Sequence, residues 1–466
     1  MQSVLSLETE LLRRYDRAGP RYTSYPTAPQ FTARFGQVQY REHAAFSNEG
    51  TPPRGLSLYA HIPFCFSPCF YCGCNRIVTH DLGRGERYVE MLQREIASVA
   101  SQFGRARAVM QLHLGGGTPN FLSVGTLGRL RERLHREFRL SSEPERDFSI
   151  ELDPRFVAPK YVAGLAALGF NRASLGVQDF DGEVQNAVNR IQSLEETRLV
   201  VEACREHGFR SLNIDLIYGL PKQTLAGFSR TLASVIEMRP DRVAVYGYAH
   251  LPEIFKPQRQ IIAAELPSAA TRLDLLRLSI EELGAAGYGY IGMDHFALPE
   301  DELVRAQHAG SLQRNFMGYT THADCDLIGL GVSAISHIGR SFSQNFRELP
   351  AWEAAVRSGG PPVWRGLELD DDDVLRADVI QRLMCRGEID IEAVERAHGV
   401  HFERYFATAL EQLDALKRDG LVEIDARRIA ATARGRLLLR SLAMCFDRYL
   451  GEARGVSAAP RYSRVV

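Results

Sequence analysis

The sequence predicts an α/β fold built on a parallel sheet, and two observations carry that reading. Between residues 56 and 246, six short apolar runs alternate with stretches of helical periodicity, the pattern of repeated βαβ units. The residues with chemical character gather where those runs end, which is the side of such a sheet on which sites are built. Six units fall short of the eight that close a barrel. A partial, open barrel and a doubly wound sheet are both compatible with the pattern.

The elements follow in order. Residues 1–50 are weakly periodic, with a short helical piece at 8–15. Pro20-Arg21-Tyr22-Thr23-Ser24-Tyr25-Pro26-Thr27-Ala28 comes next, held extended by its prolines. It reads either as an arm packed on the surface or as one that closes over a site. Residues 56–62 form the first strand and lead into a cysteine-rich loop. A helix at 87–103 places Val89, Leu92, Ile96 and Val99 on one face. The strand at 109–114 ends in Gly115-Gly116-Gly117-Thr118-Pro119, and a helix at 124–138 follows. Strands at 148–152, 172–177, 211–217 and 242–246 complete the six, with helices between them. Beyond them come a helix at 268–289, a short strand at 291–296, and an apolar, glycine-rich stretch at 327–336 suited to lining a flat aromatic ligand. Trp364-Arg365-Gly366 and the acidic run at 370–373 mark a boundary. The rest reads as a small α-rich domain with a strand pair near 421–429. The expected division is an arm at 1–50, an α/β body at 51–365 and a C-terminal helical domain at 366–466.

The densest chemistry lies in His61-Ile62-Pro63-Phe64-Cys65-Phe66-Ser67-Pro68-Cys69-Phe70-Tyr71-Cys72-Gly73-Cys74-Asn75, which holds four of the eight cysteines. Cys65, Cys69 and Cys72 follow a Cys-x3-Cys-x2-Cys spacing. Soft thiolates select zinc, copper(I) or iron–sulfur clusters. A structural zinc site normally takes two separated ligand pairs, whereas Cys204, Cys325, Cys385 and Cys445 stand alone. Three clustered thiolates suit a four-iron cluster with one iron lacking a protein thiolate. On spacing alone a zinc loop and unligated thiols stay open, and Cys74 is a possible fourth ligand.

Other strand ends carry further candidates. Glycines at 115–117 let backbone approach a ligand closely, or make a tight turn. Glu151 reads as a holder of polar ligand groups, and Asp153, before Pro154, as a cap. Arg190 and Asp215 together bind the charged ends of an amino-acid-like ligand or form a salt bridge between layers. His250 and His295 are possible proton carriers. Arg21, Lys256, Arg259 and Arg314 are scattered cations able to meet an anionic substrate.

Composition bounds the function. Hydrophobic residues make up 45% and charged residues 24% of the 466, as in a soluble globular chain. A net charge of −1 gives no global case for nucleic-acid or anionic-membrane binding. The N-terminus has no basic start followed by an apolar run, and no stretch is long and apolar enough for a membrane span. Bunched cysteines favour a reducing compartment, so a cytoplasmic protein is expected.

These residues carry a resemblance. Cys65-x3-Cys69-x2-Cys72 after a first strand, with a glycine motif after the second, is similar to the radical S-adenosylmethionine superfamily. Within it the chain resembles the oxygen-independent coproporphyrinogen III oxidase family. The matches run through the arm, Cys72-Gly73-Cys74-Asn75, Gly176-Val177-Gln178-Asp179-Phe180, Asn213 to Pro221, Gly292-Met293-Asp294-His295-Phe296 and Met444-Cys445-Phe446-Asp447. The resemblance implies a partial (β/α)6 barrel with an N-terminal arm and a C-terminal α-rich domain. It implies that Cys65, Cys69 and Cys72 hold a [4Fe–4S] cluster, with Cys74 a neighbour and not a ligand. One S-adenosylmethionine would meet Tyr59, Gly116, Glu151 and Ile335. A second would meet Tyr71, Gly117, Thr118, Gln178, Arg190, Asp215 and Ala249. Tyr71 departs from the family, where phenylalanine is frequent, but keeps a ring for stacking. The implied reaction converts two propionates of coproporphyrinogen III to vinyl groups, giving protoporphyrinogen IX for haem. A 5′-deoxyadenosyl radical takes hydrogen from a propionate β-carbon, and carbon dioxide and an electron leave. A low-potential donor such as flavodoxin or ferredoxin, and a monomer, are implied too. The nearest alternative is a haem chaperone of related sequence. Those proteins generally lack the tyrosine-rich arm and the Cys-Gly-Cys-Asn extension, both present here. A non-catalytic iron–sulfur or zinc protein is the alternative from another class.

Overall fold

The computed structural model describes residues 11, 14–15, 17–50, 53–452 and 462. The helical piece expected at 8–15 falls largely outside them. Among the described residues the main sheet runs through seven longer parallel strands, β1 (Gly55–Ile62), β2 (Ala108–Gly116), β3 (Asp147–Leu152), β4 (Arg172–Gln178), β5 (Ser211–Tyr218), β6 (Arg242–Gly247) and β7 (Cys325–Leu330), with the short pair Arg139–Leu140 also parallel to β2. Their spatial order is β6-β5-β4-β3-β2-β1-β7. The first six are those predicted from the sequence. They alternate with α1 (Leu82–Ala100), α2 (Val124–Glu137), α3 (Pro159–Ala167), α4 (Leu194–Glu206) and α5 (Leu225–Met238), and α6 (Ala269–Ala285) follows β6.

Local chemistry sets these boundaries. The side chains of Asp81, Ser123, Ser193, Thr224 and Ser268 accept hydrogen bonds from first-turn amides of α1, α2, α4, α5 and α6, satisfying donors that have no partner within the helix. On α1, Val89, Leu92, Ile96 and Val99 are all buried against the sheet. The strands alternate: in β3 and β5 every second residue is buried in the helical layer, and the intervening ones face the interior. Leu112, Leu114, Ile150, Leu152, Leu175, Ile214 and Leu216 form the outer, helix-covered face. His113, Ser149, Glu151, Ser174, Asn213 and Asp215 surround a cavity of about 170 Å³. A parallel sheet buried on both faces is normally apolar on both. The polar parity here marks an interior that stays open.

The barrel is partial. No pairing joins β6 to β7; each end of the sheet is extended by antiparallel strands. One expectation is corrected. Residues 291–296 are not one strand but the turn of a hairpin, Gly289–Gly292 against His295–Ala297. The stretch 327–336 is a strand followed by a tight turn. Its first half is β7, paired with β1, and its second half turns back into Ile335–Ile338. A Cβ on Gly329 would meet the backbone of Ile335 at 2.5 Å, so close packing of this hairpin accounts for that glycine. Buried Glu95 of α1 accepts from Gly331 N, Asn345 Nδ2 and Trp352 Nε1 at 2.8, 2.7 and 3.1 Å, anchoring the turn.

The C-terminal helical domain packs Leu383, Met384, Phe402, Phe406, Leu413 and Phe446 into its own core. The strand pair expected near 421–429 is Val422–Ile424 with Arg428–Ala431, joined by a third strand, Glu388–Asp390. The N-terminal arm lies between this domain and the barrel. Tyr22 donates to Asp447 at 2.9 Å, Arg448 N donates to the Tyr25 hydroxyl at 3.2 Å, and Arg440 Nε donates to the Pro20 carbonyl at 3.0 Å. On the barrel side Arg21 pairs with Asp294 and lies 5.5 Å over the Tyr246 ring. The described residues contain no helix long and apolar enough to cross a membrane.

Candidate active site

The loop after β1 presents its cysteines with separate supports. Cys65 and Cys69 are buried, Cys72 is half-buried and Cys74 is exposed; all eight cysteines are free. Thr118 Oγ1 donates to Cys65 Sγ at 3.4 Å. Arg190 Nη1 and Arg155 Nη2 point at Cys69 Sγ from 3.6 and 3.8 Å. Cys74 N donates to Cys72 Sγ at 3.4 Å. Hydrogen bonding from Cys74 draws the Cys72 thiol down to about 6 against its burial, with Arg76 adding to the effect. Burial pushes Cys65 up to about 11.

Neighbouring segments fix the loop's path. Asn189 Nδ2 donates to the Pro68 carbonyl at 2.7 Å, Phe70 N to the Val188 carbonyl at 2.9 Å, and Arg76 Nη2 to the Cys69 carbonyl at 2.8 Å. Gln258 Nε2 bridges the carbonyls of Tyr71 and Ala249 at 2.9 and 3.1 Å, which ties two predicted site residues together. The glycine run after β2 lies directly beneath the loop. Gly117 N donates to the Ile62 carbonyl and Thr118 N to the Phe64 carbonyl, both at 2.8 Å. A Cβ on Gly117 would meet the Pro63 carbonyl carbon at 2.7 Å, and one on Gly116, at φ +111°, would meet the His61 ring at 2.4 Å. These glycines therefore make room for the protein's own loop and histidine, and not only for a ligand as their sequence suggested.

A hydrogen-bonded row runs from the loop into the barrel. His61 Nε2 pairs with the Asn75 carbonyl at 2.9 Å and its Nδ1 with the Tyr59 hydroxyl at 3.0 Å. Tyr59 stacks on His113, whose Nε2 lies 3.2 Å from Glu151 Oε1. Gly116 N donates to Glu151 Oε2 at 2.9 Å. Burial alone would raise the Glu151 carboxyl, but the His113 bond and charge and the Gly116 amide hold it below the usual range. Arg190 and Asp215 do not pair with each other. Arg190 instead meets Asp153 at 3.2 and 3.3 Å and donates to the Gly176 carbonyl at 2.6 Å. Asp153 also caps the turn after β3 by accepting from Arg155 N. Gln178 ends β4 with φ +72°, a conformation that side chains rarely adopt. Ile335 begins the strand beyond β7, and His250 pairs with the Tyr248 hydroxyl at 2.9 Å.

Asp215 accepts from Ser174 Oγ at 2.8 Å and Asn213 Nδ2 at 2.9 Å. Burial pushes its carboxyl up to about 6 despite these donors, and the Glu151 charge adds to the rise. A raised acid holds its proton more tightly folded than unfolded. The stability it contributes is therefore present below about pH 4 and lost as the pH climbs through 6. Urea midpoints measured from pH 4 to 7 should fall relative to an Asp215→Asn variant by the equivalent of roughly 2 kcal/mol, after allowing for solvent reaching the cavity. Parallel curves would refute the assignment.

The geometry agrees with comparisons to known proteins. A model described as the radical SAM superfamily matches residues 59–235, and one described as the HemN C-terminal domain matches 369–438. An oxygen-independent coproporphyrinogen III oxidase of Pseudomonas aeruginosa is 49% identical over 466 residues, covering all of both chains. One from Escherichia coli is 47% identical over 456 residues, 98% of each. The chain belongs to the oxygen-independent coproporphyrinogen III oxidase family of the radical SAM superfamily. The solved E. coli coproporphyrinogen III oxidase, described as a radical SAM enzyme, superposes with a TM-score of 0.91 at 46% identity, over 96% of this chain and 100% of that one.

The residues present fit an iron–sulfur cluster. Among the described residues no three His, Cys, Asp or Glu side chains are grouped to hold a single metal ion. Cys65, Cys69 and Cys72 are free thiols on one short loop, each with a hydrogen-bond donor aimed at its sulfur, a soft donor set that such a cluster would take. Several contributors went unread in the sequence. His61 and His113 share strand parity with Tyr59, a signal that could have found them. Arg155 and Gln258 gave none, because their partners lie 86 and 187 residues away.

Proposed function

We propose that this enzyme carries out the oxygen-independent oxidative decarboxylation of two propionates of coproporphyrinogen III to vinyl groups, giving protoporphyrinogen IX in haem biosynthesis. The observation that carries the reading is the three-cysteine loop at the C-terminal mouth of a partial barrel, backed by Thr118, Arg155 and Arg190. Cys65, Cys69 and Cys72 would hold the [4Fe–4S] cluster. Tyr59, Gly116, Glu151 and Ile335 would contact one S-adenosylmethionine, and Tyr71, Gly117, Thr118, Gln178, Arg190, Asp215 and Ala249 a second. When bound, these groups supply a one-electron cleavage that yields a primary carbon radical able to take hydrogen from an unactivated carbon.

The chain's own part is positioning and exclusion. Glu151, kept ionised by His113 and Gly116, offers an acceptor for an ammonium group at the barrel mouth. The arm and the C-terminal domain together cover the same side of the barrel as the hairpin at 289–297, which limits water around a reactive radical. A general base is not needed at the β-carbon.

The division into an arm at 1–50, a barrel with its extension at 51–365 and a C-terminal domain at 366–466 is part of the same proposal. The sheet's last strand, Val363–Glu368, runs three residues past that boundary, and the helix Asp371–Arg386 opens the C-terminal part. So are a flavodoxin- or ferredoxin-like electron donor, a monomer and a cytoplasmic setting. The test is anaerobic reconstitution with iron and sulfide, reduction, and incubation with S-adenosylmethionine and coproporphyrinogen III. Formation of 5′-deoxyadenosine and protoporphyrinogen IX is expected; absence of both overturns the reading.

A further inference from the structure

Two arginines that look scattered in sequence meet in the fold. His295 stands edge-on to the rings of Tyr246 and Tyr319, at 5.8 and 5.3 Å. Arg21 covers the Tyr246 ring at 5.5 Å and Arg314 covers the Tyr319 ring at 4.7 Å. Arg21 has a counter-ion in Asp294. Arg314 has no carboxylate partner among the described residues, is only 7% exposed, and has no hydrogen-bond partner for Nε or Nη1. Nδ1 of half-buried His295 is itself buried and likewise unpartnered. Burial and the charges of Arg314, Arg21 and Arg242 push His295 well below its ordinary range, so it supplies no charge here.

A buried cation without a counter-ion is costly, and proteins normally pair it or give it an anionic ligand. Arg314 also lines a cavity of about 250 Å³ between the arm, the strand Gln313–Asn315 and the helix Asp371–Arg386. Tyr22, Tyr25, Phe316 and Phe342 give that cavity aromatic walls. The next strand of the same hairpin, Gly318–Thr320, faces the barrel interior with Glu151 and Asp215. Arg314 therefore stands on the wall between the reaction chamber and an aromatic-lined cavity. A planar guanidinium with open donors suits a carboxylate.

We infer that Arg314, with Arg21 beside it, is the clamp for a substrate carboxylate, holding a propionate of the porphyrinogen while another lies at the barrel mouth. The inference rests on the proposed reaction, which supplies a substrate rich in propionates. It also assigns the arm a role in binding, since Arg21 belongs to it.

The test titrates reconstituted full-length protein with coproporphyrin III, the stable oxidised form of the substrate, and with its tetramethyl ester, following fluorescence. Arg314→Gln should bind the free acid about 10- to 100-fold more weakly, as for loss of one charged hydrogen-bonding partner. Arg314→Lys should recover part of that loss. The ester should bind wild type and Arg314→Gln alike. Iron content and substrate-free release of 5′-deoxyadenosine should not change, and Arg314→Gln should melt no lower than wild type, because an unpaired buried charge has been removed. Free-acid binding within twofold of wild type overturns the clamp. A lower melting temperature with equal loss of acid and ester binding overturns it too, since that pattern marks a structural arginine. Wild-type turnover is scored separately: no turnover with Arg314-dependent binding of the free acid defeats the reaction and leaves the clamp standing.

Discussion

Replacing Cys69 by serine is expected to reduce S-adenosylmethionine cleavage to background while leaving the fold intact. Serine is nearly isosteric, and Cys69 is a buried residue of a loop held by Asn189, Arg76 and Gln258 through backbone carbonyls. None of those bonds uses the sulfur. What changes is the ligand: an alkoxide is harder than a thiolate and far more difficult to deprotonate, so affinity for iron is lost. Arg190 and Arg155 would then point at a neutral hydroxyl where they had faced a sulfur able to carry charge. The measurements are iron and sulfide per chain after reconstitution, 5′-deoxyadenosine by chromatography, and circular dichroism. Wild-type cluster content or continued 5′-deoxyadenosine release would refute Cys69 as a ligand. A Cys74→Ser variant is the internal control. Because Cys74 is exposed and serves only Cys72, it should retain the cluster.

Particular residues show what could be read from the chain before its fold was known. The six parallel strands were legible because apolar runs and helical periodicity are local signals. The three cysteines stood out because all of them, proposed here as the cluster ligands, fall within a loop of ten residues. β7 was missed because its partner in the sheet is β1, about 270 residues earlier, and its sequence carries the glycines of the hairpin that follows. The same distance problem hid Arg314. Next to Gln313 in sequence it is one cation among many, and only the packing of the hairpin against the C-terminal domain leaves it buried without a counter-ion. The glycines after β2 were recognised as special, but the atoms that require them belong to His61, Pro63 and Phe64. The site is thus more self-contained than its motifs imply. Residues read as cofactor contacts spend much of their bonding on holding the cysteine loop.

Arg190 makes that point testable. Its Nη1 serves Cys69 and Asp153, its Nη2 serves Asp153 and Gly176, and Nε alone is buried without a partner. Arg190→Met should therefore lower both stability and cofactor cleavage. Breaking a buried charge pair costs about 3–5 kcal/mol when the remaining charge is stranded. Here Arg155 still holds Asp153 at 2.7 and 2.9 Å, so the lower end is expected. Loss of the donor behind Cys69, the proposed cluster ligand, should reduce 5′-deoxyadenosine formation about 10- to 100-fold. The pH dependence has a definite sign. Burial would raise the Asp153 carboxyl, but Arg190 and then Arg155 hold it below its ordinary value. A depressed acid contributes stability above its unfolded pKa and loses it as the pH falls. Without Arg190 that contribution shrinks, so acid unfolding followed by circular dichroism should begin at a higher pH than in wild type. Adding Asp153→Asn to Arg190→Met should restore much of the stability, because no stranded carboxylate remains, without restoring cleavage. If the double variant regains cleavage as well, Arg190 acts only by neutralising Asp153, and its bond to Cys69 has no part in the chemistry.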